Sequence, residues 1–368
     1  MALLSEGQSV RDTYEVERFL GEGAFAEVYR VRHRYLGRQA LKLFKMAGLT
    51  APEVEEMLGE AVLLSRIDHP NIVRVFDANT LNIDGQVYGY FTMEHVAGGS
   101  LDRFWRSYGT QFIPVATVVD LIRQVCRGLA AAHGQDPPVI HRDIKPQNIL
   151  VGYQPDGLRA KVSDFGLAKK VNPLTLLASA RGTRLFKAPE AFEDFNSDSC
   201  AGDVWAVGMT LYMLLTDRLP FTVPDEYEQG GAAKAFQAKL VSASQVNPTC
   251  DAKLDEITGR CLSIDRHKRY ASARELLSDL ECWAPKLDAG AQDSSKQPWS
   301  TSKEILGQAS PTAPQQARTL ADRAIELAQD PATLNDAADL MEEAFNRLPQ
   351  LRSEYQGRVK LWRRGISM

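Results

Sequence analysis

The sequence has no cysteine pair spaced as CxxC. Its five cysteines, Cys126, Cys200, Cys250, Cys261 and Cys282, are odd in number and widely scattered. That spacing suits neither a disulfide framework nor a structural zinc site, and it fits a reducing compartment. No long apolar run is present either. The stretch AVGMTLYMLL, beginning at Ala206, is too short to span a bilayer and reads as a buried helix. The opening MALLSEGQSV has a very short apolar stretch and no basic flank, so no signal peptide is expected. There is no excess of either charge, since 43 Lys and Arg stand against 47 Asp and Glu, for a net charge of -4. That balance argues against a nucleic-acid or membrane-surface partner. The expectation is a cytoplasmic protein with no nucleic-acid partner and no membrane span.

What is present is ordinary in bulk. The chain has 368 residues, 44% hydrophobic and 24% charged, enough for a sizeable core and more than one domain. YEVERFL and AEVYRVRH alternate polar with apolar around a glycine-rich turn, and RQALKLF follows the turn at Gly37. This pattern predicts a three-stranded meander. From Pro52 to Ile67 the apolar residues take helical spacing. NIVRVFDA and VYGYFTMEHV predict two further strands, and beyond Leu101 most segments read as helical. Near Pro285 the composition turns to small, polar and proline residues, which predicts a linker over 285–316. Helical patterning returns over 317–368, broken at Asp330-Pro331 and Pro349, which suggests a three-helix module. AADLMEEAFNRLP is faintly like half of a tetratricopeptide unit, and no internal repeat is convincing.

Four local patterns carry chemistry. In GEGAFAEV, Gly21 and Gly23 flank a turn where backbone amides could approach phosphates closely. Taken alone, a structural turn explains it as well. Lys42 lies inside an otherwise apolar strand and needs an anion, for which Glu60 on the following helical stretch is the candidate. In VIHRDIKPQNIL, His141, Arg142, Asp143, Lys145 and Asn148 crowd charge between two apolar runs, which is costly unless paired or used. SDFGLA then places Asp164 and the flexible Gly166 at a strand end.

Together these residues resemble the eukaryotic-type Ser/Thr protein kinase family. Glycine loop, strand lysine, helix glutamate, HRDxKxxN, DFG and APE occur in order. Further matches are His69 in HPNIV, Asp203, Trp205 and Gly208 in GDVWAVG, and Arg269, which falls where the family pairs an arginine with the APE glutamate, here Glu190. The resemblance covers residues 10–284 and would suit a bacterial kinase. It implies an α+β, bilobal protein-kinase fold: a small β-rich N-lobe with helix C, a large mainly helical C-lobe, and here a small C-terminal helical module. Ala26 and Phe186 depart from the usual Gly and Tyr, but neither supplies a catalytic group.

The family also implies roles. Lys42, oriented by Glu60, would hold the α- and β-phosphates of ATP, and Asp164 and Asn148 would bind Mg²⁺, or Mn²⁺ in its place. Asp143 would orient the substrate hydroxyl and Lys145 would stabilise the transferring phosphoryl group. Adenine would lie between Leu20, Val28 and Ala40 above and Leu150 below, with its edge on the backbone of Glu94, His95 and Val96 and Met93 as gatekeeper. His141 would be structural, in a spine with Phe165, Leu64 and Val75. Lys145 and Thr183 favour protein Ser/Thr acceptors over tyrosine. Uncharged Ser100 and Gln147 argue against a strong demand for basic residues upstream of the acceptor, although Asp102 lies nearby. Thr183 reads as architectural, whereas Thr175 and Ser179 are the candidate regulatory phosphosites, with Arg142 as their cationic partner. No acidic residue between Leu167 and Ala188 could stand in for such a phosphate.

Competing readings are a pseudokinase scaffold, and a small-molecule phosphotransferase, which would lack APE and the DVWAVG helix. The C-terminal module is either a packed appendage that stabilises the kinase domain or a site where a partner docks.

Overall fold

The computed structural model describes residues 2–23, 26–45, 58–59, 65–109, 111–165, 185–193, 197–221, 240–285 and 313–367. Glu60, Leu64, Gly166, Thr175, Ser179 and Thr183 lie outside these residues, as do most of the helical stretch 52–67 and most of the linker. The chain forms two compact units, one of Met1–His95 with Asp164–Ala180, the other of Val96–Ser163 with Arg181–Met368.

The first unit is built on an antiparallel sheet. Its strands are β1 (Ser9–Val10), β2 (Tyr14–Glu22), β3 (Ala26–His33), β4 (Gly37–Phe44), β5 (Val75–Ile83) and β6 (Gln86–Glu94), in the order β1-β2-β3-β4-β6-β5. The alternation read in the sequence sorts the faces. Tyr14, Val16, Tyr29, Val31, Leu41, Leu43, Tyr88 and Tyr90 share one buried core, as period two requires. Val28, Ala40 and Lys42 therefore fall on the opposite face. Asp84 and Gly85, both at positive φ (50° and 80°), turn β5 into β6, the geometry an Asp-Gly pair favours. One contribution left no pattern to read. Leu4 and Val10 near the N-terminus enter the same core, and the Leu3 and Leu4 amides donate to Glu27 Oε2 (2.9 Å) and the Tyr29 hydroxyl (3.0 Å).

The second unit is mainly helical. It contains α1 (Leu101–Arg106), α2 (Val115–His133), the hairpin β7 (Ile149–Gln154) and β8 (Gly157–Val162), α3 (Glu190–Glu193), α4 (Cys200–Thr216), α5 (Ala243–Val246), α6 (Ala252–Cys261) and α7 (Ala273–Glu281). The apolar run AVGMTLYMLL lies in α4 and is buried throughout, as expected for a helix hydrophobic on all sides. At Gly208 a Cβ would stand 2.4 Å from the Cys261 Cβ, so only glycine lets α4 and α6 approach this closely. Among the described residues no helix is long and apolar enough to cross a membrane.

Three more helices follow, α8 (Ala313–Leu327), α9 (Leu334–Arg347) and α10 (Leu351–Arg363). A single 3₁₀ turn at Pro331–Thr333, capped by Asp330, separates α8 from α9. Ala317, Ala321 and Ala324 of α8, with Ala328 just past its end, repeat at helical spacing and pack with Met341, Phe345, Val359 and Trp362. Tyr153 of β7 belongs to this same cluster. The Arg352 guanidinium stacks 4.4 Å from the Phe104 ring centre of α1, a cation–π contact between the module and the rest of the unit.

Candidate functional site

In the first unit the site begins with Lys42. β4 pairs it with Val28 of β3 and Phe91 of β6, and sets Ala40 beside Met93. Lys42 is 7% exposed, so its ammonium needs a counter-charge. Its Nζ donates to Asp164 Oδ1 at 2.6 Å. The sequence reading gave Lys42 to Glu60, which lies outside the described residues; the described partner is the DFG aspartate. Asp164 itself sits at φ 60°, a left-handed conformation that a residue other than glycine adopts at a cost. Glu22 faces Glu27 across the ladder, and the Gly23 amide donates to Ala26 O at 2.8 Å. Gly21 opposes Val28, next to a bulge at Phe19 and Leu20.

In the second unit the stretch between α2 and β7 brings Asp143, Lys145 and Asn148 together. Asp143 Oδ2 accepts from Lys145 Nζ at 2.8 Å and from Asn148 Nδ2 at 3.0 Å. Asn148 Nδ2 also donates to the Asp143 carbonyl at 2.8 Å. This pins the amide by its nitrogen and leaves Oδ1 without a donor among the described residues. A neutral oxygen ligand held this way suits a hard cation such as Mg²⁺, as does the carboxylate of Asp164. Asp143 uses one carboxylate oxygen for its neighbours, and the other remains to accept from a hydroxyl. Leu150 follows on β7 and forms a bridge with Ser100.

The loop's geometry is imposed from α4. Asp203, 2% exposed, accepts from the His141 amide (2.7 Å), the Arg142 amide (2.8 Å) and the His133 ring (Nε2, 2.9 Å). Burial alone would raise its carboxyl, but His133 and these donors hold it below the usual carboxylate range. Burial would likewise lower His133, yet the bond to Asp203, helped by Cys200, pushes it up to about 9. His141 is fully buried, and its Nε2 meets Ser163 O at 2.8 Å. That is the satisfied structural histidine expected from the sequence. Arg142 stands at φ 69°, a second strained position, beside Asp143.

Two partners were missed in the sequence. Arg142 Nε donates to Asp198 at 2.8 Å. An acid was sought only between Leu167 and Ala188, but the one that pairs with Arg142 lies beyond APE, beside the N-cap of α4. His133, at the end of α2, left no signal apart from its helical spacing. Glu190 takes both Arg269 nitrogens at 2.7 Å, and the same guanidinium lies 4.9 Å from the Trp205 ring centre. Phe186 is 5% exposed and buries its ring where tyrosine is usual. Asp102 accepts from Arg106 (2.9 Å) and Gln147 (3.3 Å). Both of its carboxylate oxygens are therefore engaged.

A family model described as protein kinase domain matches residues 14–280 of this chain. The chain belongs to the protein kinase domain family. Within that family it is 36% identical over 217 residues to the serine/threonine-protein kinase ATG1c of Arabidopsis thaliana, covering 59% of this chain and 28% of that protein. It is 29% identical over 279 residues to the serine/threonine-protein kinase PrkC of Bacillus subtilis, covering 75% of this chain and 41% of that protein. The chain thus spans less than half the length of either relative. Among solved structures, the Mycobacterium tuberculosis PknI kinase domain superposes with a TM-score of 0.56 at 25% identity, covering 76% of this chain and 98% of that one.

Proposed function

We propose that this chain is a serine/threonine protein kinase that transfers the γ-phosphate of ATP to hydroxyls of protein substrates. The observation that carries the reading is the grip of Lys145 and Asn148 on one oxygen of Asp143. Phosphoryl transfer asks the protein mainly for positioning and charge compensation. Asp143 would take its place against the acceptor hydroxyl, Lys145 beside the moving phosphoryl group and Lys42 against the α- and β-phosphates. Asp164 and Asn148 would hold Mg²⁺, or Mn²⁺, which when bound offsets charge on the phosphates. Leu20, Gly21, Gly23, Val28, Ala40, Met93, Glu94, Val96 and Leu150 would form the ATP site. Residues 10–284 would make the kinase domain, 285–316 a linker and 317–368 the helical module. The module's packing on β7 and α1 favours the appendage over a docking role. Cytoplasmic placement belongs to the same reading, supported by five cysteines that are all free thiols.

Incubation with Mg·ATP and a generic protein acceptor, followed by mass-spectrometric site mapping, tests this. Phosphoserine and phosphothreonine are expected, and phosphotyrosine alone or no label would overturn it. Regulation through Thr175 or Ser179 is part of the proposal. Such a phosphate would compete with Asp198 for Arg142. A Thr175→Ala/Ser179→Ala protein should lose most of its activity, and full activity would remove the switch.

A further inference from the structure

Glu342 of α9 is 1% exposed, an unusual place for a carboxylate. Its Oε1 accepts from Arg363 Nη2 at 2.8 Å, and the same nitrogen reaches Asp339 at 2.6 Å. Its Oε2 turns the other way and accepts the Tyr153 amide of β7 at 3.2 Å. The pairing of β7 explains why that amide needs a partner. One edge of β7 is bound to β8. On the free edge, the Val151 amide donates to Gly99 O at 2.8 Å. Two residues on, the Tyr153 amide points the same way. No strand continues there among the described residues, and the Glu342 carboxylate takes the place of the next carbonyl.

The same oxygen closes onto two glycines. A Cβ on Gly98 would stand 2.8 Å from Glu342 Oε2 and 2.1 Å from Val151 O. A Cβ on Gly152 would stand 3.5 Å from Glu342 Oε2 and 3.1 Å from Val96 Cγ1. Asn346, one turn further along α9, abuts Gly99, which is at φ 74°. The stretch Val96–Gly99 is therefore enclosed between β7 and α9. Val96 is the position proposed to read the adenine edge, and Leu150, next to Val151, is the proposed floor.

We propose that Glu342 is a positioning residue for the nucleotide site: by bonding the free edge of β7 against Gly98 and Gly152, it fixes the Val96 amide and the Leu150 side chain where adenine meets them. This rests on the reading of the chain as an ATP-dependent kinase. It assigns the C-terminal module a task in nucleotide binding beyond general stability.

The test uses the full chain and measures the Kd of Mg·ADP by calorimetry, with KM for ATP and kcat at saturating acceptor. Glu342→Ala should weaken ADP and raise KM by about tenfold, the loss expected when a hydrogen bond to a charged group goes, while kcat at saturating ATP changes less than about twofold. Glu342→Gln keeps an acceptor for the Tyr153 amide and should restore Kd and KM to within about threefold of wild type. Val359→Ala loosens the module's core away from β7 and should lower Tm with Kd and KM unchanged. Wild-type Kd and KM in a folded Glu342→Ala protein would overturn the inference, as would an equal loss in Val359→Ala. Should Glu342→Ala fail to fold, Gly152→Ala presses on Val96 directly and should raise KM in the same way; an unchanged KM there overturns it too. A wild-type chain that binds no nucleotide would sink the kinase reading itself, whereas a wild type that binds alongside an equally tight Glu342→Ala sinks only this inference.

Discussion

Asp203 in α4 and Glu342 in α9 are both carboxylates with almost no exposure, 2% and 1%, yet their surroundings push them in opposite directions. Asp203 collects two backbone amides and the His133 ring, and is held below the usual carboxylate range despite its burial. Glu342 has one backbone amide at 3.2 Å and a guanidinium it shares with Asp339. Burial wins over Arg363 there and pushes its carboxyl up to about 7. Depth of burial does not separate the two; the donors on Asp203 stand within 2.9 Å, whereas those on Glu342 stand at 2.8–3.3 Å and the guanidinium among them is shared with Asp339. One arrangement favours a permanent anion that anchors the His141 and Arg142 backbone. The other tolerates a carboxylate whose ionisation costs the fold something.

The largest effect that would sharpen this contrast is at Asp203. Asp203→Ala leaves two loop amides and His133 without their acceptor, and should cost about 3–5 kcal/mol in urea unfolding. A loss below about 1 kcal/mol would break the comparison. Next comes pH. The folded state binds the Glu342 proton more tightly than the unfolded chain does, about 7 against 4.5. Its contribution to stability therefore falls as pH rises from 4.5 to 7. His133 is raised from 6.5 to about 9, so its contribution is fully present below 6.5 and is lost as pH rises through 9. Each window should span on the order of 1–3 kcal/mol. Urea midpoints followed from pH 5 to 10 should flatten at the lower end in Glu342→Gln and at the upper end in His133→Gln. A wild-type profile in both would contradict the assignment. The smallest effect is the stability of Glu342→Gln near pH 8. It should lie within about 1 kcal/mol of wild type, on the stabilising side, because the costly ionisation is gone while Asp339 still pairs with Arg363. A loss as large as that of Asp203→Ala would mean that the two carboxylates do the same work.

The stretch between α2 and β7 was legible because its residues lie close to one another in sequence: Lys145 and Asn148 both donate to Asp143. The sheet was legible because alternation sorts its faces residue by residue. The Arg269–Glu190 pair spans a long separation and was found only through the family resemblance. What stayed hidden were contacts between distant elements whose local sequence looks ordinary. Glu342 sits in MEEAFNR among other helical acids, and nothing in that spacing says that it faces Gly98. Leu4 was too isolated to show a period. Asp198 was overlooked because an acid was sought inside the activation segment, whereas Arg142 reaches past it.

The central claim is that Asp143, held by Lys145 and Asn148, directs phosphoryl transfer from ATP to a protein hydroxyl. The most direct measurement is the single-turnover rate of transfer from γ-labelled ATP to a generic acceptor, in wild type and in Asp143→Asn at equal nucleotide occupancy. The account predicts label on serine and threonine in the wild type and a fall of at least about a hundredfold in the variant. Equal rates in the two proteins would contradict it.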